Sequence, residues 1–131
     1  MSMSTKHFLF YDADGRITAQ FSAPSARYAR RQGQRYALAS GHESAATHYV
    51  DVATRQVRAK RTLDIDQHVE GMTITLDGIP AGVTVATNGQ QAVTDGTPLV
   101  VTYDLPGTYE IRLSGHIEYL DRVEEVTVDD A

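Results

Sequence analysis

Cysteine and tryptophan are absent from this 131-residue chain, and proline occurs four times. Without cysteine, neither a disulfide nor a thiolate zinc site can staple the fold. No stretch approaches the roughly 20 apolar residues of a membrane-spanning helix. The opening Met1-Ser2-Met3-Ser4-Thr5-Lys6 lacks the apolar run of a secretory signal. Synthesis and retention in the cytoplasm, with no membrane partner, is the resulting expectation. Positive charge is scarce in the second half: residues 63–131 carry 2 Lys/Arg against 13 Asp/Glu.

The first half is the reverse. Residues 1–62 carry 10 Lys/Arg and 4 Asp/Glu, so a half of net +6 precedes one of net −11 in a chain of net −5. Opposed charge of this kind steers association and fixes docking register. The composition, 41% hydrophobic and 22% charged, is that of a folded protein. Two parts split at the charge boundary have about 60–70 residues each, and domains that small bury only about 60% of their extended surface. Mutual support or a partner is therefore expected.

The apolar pattern is that of short strands. His7–Tyr11, the turn Asp12-Ala13-Asp14-Gly15 and Ile17–Phe21 read as a hairpin that Pro24 ends. Ser25–Gln34 is a short helix capped by Ser25 and stopped at Gly33, or an irregular loop. Tyr36–Ala39, Thr47–Val52 and Val57–Lys60 complete a meander of about five strands, with Ser40–Ala46 a polar loop. Leu63–Gly71 is acidic and patternless, and reads as a connector more mobile than its flanks. Beyond it Met72–Leu76 alternates, Asn88-Gly89 supplies the preferred two-residue hairpin turn, and Tyr109, Ile111 and Leu113 alternate with polar residues. Six or seven strands at this spacing predict an immunoglobulin-like sandwich. Its expected inward set is Ile74, Leu76, Val83, Val85, Tyr109, Ile111, Leu113, Val126 and Val128.

Motifs for chemistry fail on spacing. A zinc helix needs His-Glu-x-x-His, whereas His42-Glu43 is followed by His48 in a loop entering a strand. Asp12-Ala13-Asp14-Gly15 resembles the start of a calcium loop, but its twelfth position is Ala23 rather than Glu, and Asp64 and Asp66 add no pattern. Ser114-Gly115-His116 is no nucleophile elbow. The cations Arg27, Arg30, Arg31, Arg35, Arg55, Arg58, Lys60 and Arg61, with Tyr28 and Tyr36, have the makings of a nucleic-acid surface. The acidic balance of the whole chain argues for a protein partner instead.

Two stretches carry a resemblance. One is the His7–Phe21 hairpin followed by Tyr49-Val50-Asp51-Val52-Ala53-Thr54 and a charged strand. The other is Leu105-Pro106-Gly107-Thr108-Tyr109-Glu110-Ile111-Arg112-Leu113-Ser114, with Tyr119-Leu120 and a Val-rich end. In these the chain resembles small tail-associated structural proteins of tailed bacteriophages and prophages. Prolines between the halves, frequent in that group, are missing here between Pro24 and Pro80. The resemblance implies a virion component with no catalytic residues.

The reading is thus an all-β protein: a basic N-terminal β-meander over 1–62, a connector over 63–71, and an immunoglobulin-like antiparallel sandwich over 72–131. Its expected function is non-enzymatic, as a structural or adaptor protein of a phage tail or tail-fibre apparatus, located in the virion. Its partners would be other virion proteins or further copies of itself, without cofactor, metal or nucleic acid. Arg27, Arg30, Arg31 and Arg35 are the expected protein interface. The alternative is a carbohydrate- or host-surface-binding module, which tyrosine rings clustered on an exposed sandwich face would favour.

Overall fold

Strands account for about half of the described residues. The computed structural model describes residues 5–129, with twelve strands and one short helix among them. The fold is all-β and antiparallel, and the chain divides into two units, Met1–Arg61 and Thr62–Ala131.

In the first unit, β1 (Lys6–Tyr11) pairs with β2 (Ile17–Ala23) through the expected turn. There the Asp12 carboxylate accepts the amides of Asp14 and Arg16, at 3.0 and 2.9 Å. Helix α1 (Arg27–Arg31) follows, and β3 (Arg35–Ala39) returns to the far side of β1, giving the order β2-β1-β3. The five strands are those expected, but this step departs from a sequential meander. Phe8 and Phe10 are both buried on one face of the sheet, beside Phe21 and Tyr36 of the two flanking strands. The chain crosses that face as α1, which buries Ala29 completely and sets Tyr28 5.3 Å from the Phe21 ring. Ala26, not Ser25, occupies the N-cap, and Gly33 at φ +69° follows the helix as expected.

On the opposite face Leu9, Tyr11, Ile17 and Ala37 pack with Val50. Val50 lies in the hairpin of β4 (His48–Asp51) and β5 (Gln56–Ala59). This hairpin is locked to the first turn, since the Val50 amide donates to the Gly15 carbonyl at 2.8 Å.

The second unit holds β6 (Asp66–Glu70), β7 (Thr73–Asp77), β8 (Thr84–Thr87), β9 (Gln90–Val93), β10 (Leu99–Thr102), β11 (Gly107–Ser114) and β12 (Arg122–Val128). They form sheets ordered β10-β7-β6 and β12-β11-β8-β9 around one core. Three strands and four around one core make a two-sheet antiparallel sandwich, in which β9 pairs with β8 rather than joining the β10-β7-β6 sheet. Eight of the nine expected inward residues are no more than 4% exposed. The ninth, Tyr109, is half-buried and donates its hydroxyl to the Leu105 carbonyl at 2.7 Å. That is the tyrosine corner of such sandwiches, and it accounts for the Leu105-Pro106-Gly107 lead-in. Asn88 and Gly89 both take positive φ, at 50° and 78°, as their hairpin requires.

The expected connector over 63–71 is corrected. Leu63 is buried in the sandwich core, its carbonyl accepts from the Arg122 guanidinium, and β6 pairs with β7 along its whole length. The unit boundary lies between Arg61 and Thr62. An edge strand held by backbone bonds with all five side chains exposed has no apolar period to read.

Candidate functional site

Helical spacing places Arg27, Arg30 and Arg31 on neighbouring turns of α1, and Arg35 opens β3 only four residues later. All four side chains are exposed, and none makes an ion pair among the described residues. The structure therefore gathers the four expected interface residues into one short stretch. The unit's own acids do not neutralise them. Asp12 holds its turn, Asp51 pairs with Arg58 at 3.1 Å, Glu43 is engaged by the backbone, and exposed Asp14 in the first turn makes no ion pair with any of the four. Exposed Tyr28, half-buried Tyr36 and exposed Leu38 add apolar area to the basic stretch.

Beside β3 runs an open groove of about 730 Å³ lined by Tyr36–Ser40, Glu43 and Arg55–Val57. Its two ends are fixed differently. At one, the Arg55 guanidinium lies 5.5 Å from the Tyr36 ring centre and donates to the Tyr36 carbonyl at 3.2 Å. Arg55 reaches it from a tight turn, at φ 59°. At the other, the Glu43 carboxylate accepts the amides of Ser40, Gly41 and His42 at 2.9–3.1 Å. Burial would raise the Glu43 carboxyl, but the amides of Ser40, Glu43, His42 and Gly41 outweigh it and hold the group below its ordinary value.

The histidines flanking Glu43 come together: the rings of His42 and His48 meet edge-on at 5.9 Å. The His48 Nδ1 is 2.7 Å from the Thr47 hydroxyl, while Glu43 serves the loop backbone. No group of three metal-ligating side chains occurs among the described residues. Sequence reasoning missed the groove. Glu43, the single buried charged residue among those described, looked like a solvated loop acid, and its signal was the flanking Ser40-Gly41, whose amides turn inward.

No family model matches the chain, and neither the curated proteins nor the solved structures contain a match.

Proposed function

We propose that the chain is a non-enzymatic structural or adaptor protein of a bacteriophage virion, in the tail or tail-fibre apparatus. In this reading its basic unit docks on an acidic protein surface. The observation that carries the docking role is the exposed set Arg27, Arg30, Arg31 and Arg35, which has no ion-pair partner among the described residues. Arginine favours such a role because its planar fork pairs bidentately with carboxylates and stays charged. The phage setting rests on the resembling stretches, His7–Phe21 with Tyr49–Thr54, and Leu105–Ser114 with Tyr119-Leu120 and the Val-rich end.

The carbohydrate-binding alternative draws less support. In the sandwich Tyr103 and Tyr109 stack on each other with ring centres 3.9 Å apart. Their hydroxyls are engaged by Thr87 and by the Leu105 carbonyl, so these rings offer no open platform.

The test is the variant Arg30→Glu/Arg31→Glu. Its incorporation into particles should fall while circular dichroism stays that of the wild type. The association rate of the wild type should fall with salt, given a Debye length of about 8 Å at physiological ionic strength. Normal incorporation of the folded variant would remove these arginines from the interface.

A further inference from the structure

The free edge of β3 carries the docking role one step further. In an antiparallel ladder alternate residues turn both backbone groups toward the partner strand or both away. The Tyr36 carbonyl accepts from Arg55 and the Ser40 amide donates to Glu43, which assigns Tyr36, Leu38 and Ser40 to the set facing away from β1. Between those two side-chain caps, both backbone groups of Leu38 and the Tyr36 amide face the groove. Leu38 itself is 64% exposed. Natural edge strands are usually blunted by charge, proline or cover. This one is capped at its ends and open in the middle.

We infer that the β3 edge receives an edge strand from a second copy of this chain, and that the incoming strand is β6. The inference rests on the docking role proposed above and names its partner. Four strands of the sandwich unit lie at sheet edges: β6, β9, β10 and β12. The sequences of β9 and β10 carry no charge, and β12 sets Arg122, paired with Glu124, beside its second acid Glu125. Only β6, Asp66-Gln67-His68-Val69-Glu70, presents acidic side chains without a basic neighbour in the strand. All five of its residues are exposed, Val69 to 40%, and its length equals that of β3. Two acidic β6 edges repel each other, whereas β6 beside β3 meets Arg35 and Arg55 at one end and sets Val69 against Leu38. The Glu43 charge at the other end is already satisfied by three amides. Strand addition of this kind draws affinity from main-chain bonds and selectivity from side chains. Because the two edges differ, the contact propagates into rings or filaments unless two copies exchange both contacts.

The experiment is sedimentation of the purified full chain across concentration and salt. At low salt the average mass should rise above the 14.4 kDa monomer, weakly, because a five-residue strand contact is small. Arg35→Glu should weaken self-association about tenfold, equivalent to about 1.4 kcal/mol. Leu38→Pro removes an outward amide that β1 does not use, so it should abolish association while circular dichroism is kept. Should Leu38→Pro unfold the unit, the charge swap still decides. Arg35→Glu and Asp66→Lys/Glu70→Lys should each be impaired alone, and mixing them should restore association between unlike copies. A wild type that stays monomeric to about 1 mM, or a mixture no better associated than its components, would overturn the β3–β6 contact. Those outcomes with particle incorporation still sensitive to Arg30 and Arg31 would leave the docking role standing and remove only this partner.

Discussion

The two units bury their sheets in opposite ways. In the sandwich unit each strand of the core gives one face to the interior, so Ile74 and Leu76, Ile111 and Leu113, and Val126 and Val128 alternate with exposed or half-buried residues. In the N-terminal unit β1 is covered on both faces, by α1 and by the β4–β5 hairpin. Four successive residues, Phe8, Leu9, Phe10 and Tyr11, are no more than 7% exposed. A strand buried on both sides must read as a continuous apolar run. Three of the unit's seven aromatic residues, Phe8, Phe10 and Tyr11, thus lie in one central strand, while α1 and β3 carry the exposed arginines. Packing is concentrated in one place and docking chemistry in another.

Core truncations sharpen this contrast most. Phe8→Ala should destabilise the N-terminal unit by about 3–5 kcal/mol, since Phe8 stacks on Phe21 at 5.2 Å and meets Tyr36 at 6.0 Å. Ile111→Ala should cost the sandwich about 2–5 kcal/mol. Both are measured by urea unfolding. If Phe8→Ala cost less than about 1 kcal/mol, the helix-covered face would be no core and the two-sided burial of β1 would be wrong.

A smaller effect tests how the hairpin is clamped to the first turn. Gly15 has φ +95°, and a Cβ there would lie 2.1 Å from the Val50 carbonyl oxygen. Gly15→Ala should cost roughly 1–3 kcal/mol through backbone strain and the displaced β4. The exposed Gly33, also at positive φ but with nothing within 4 Å, supplies the control. Gly33→Ala should cost only the conformational part, so equal losses at the two sites would deny the close approach at Gly15.

The sandwich was legible because its alternation, its Asn-Gly turn and its Pro-Gly-Thr-Tyr corner all specify the same geometry. The N-terminal hairpin was legible from its aromatic run and Asp-rich turn. What was not legible was pairing without apolar content. β6 carries a full ladder on exposed side chains of which only Val69 is apolar, and β3 pairs with β1 rather than β2 after the short helix. The arginine cluster was readable as a run of charge. The groove next to it depends on the tertiary meeting of Arg55 and Glu43 with β3, contacts 19 and 3 residues apart in sequence, made by residues of no local pattern.

The smallest expected effect concerns pH and separates the two units once more. Glu43 is held below its ordinary value in the folded protein, so the folded state binds its proton less readily than the unfolded chain. Its contribution to stability is complete above the unfolded glutamate value and is lost as pH falls through the depressed folded value. Asp51 is lowered as well, a desolvation that would raise it being outweighed by Arg58 and by the amides of Thr54 and Ala53. In the sandwich unit Asp95 is lowered, chiefly by the Thr97 hydroxyl and amide. Acid should therefore weaken both units, but Glu43 is the member of this set that is buried. Glu43→Gln should flatten the acid limb of the N-terminal unit's urea midpoint, and Asp95→Asn should alter that of the sandwich more weakly. The readouts are a signal from the Phe8–Phe21–Tyr28 cluster for one unit and Tyr103–Tyr109 for the other. An acid limb unchanged by Glu43→Gln would mean that the three amides around that carboxylate do not set the acid stability of the loop beside β3.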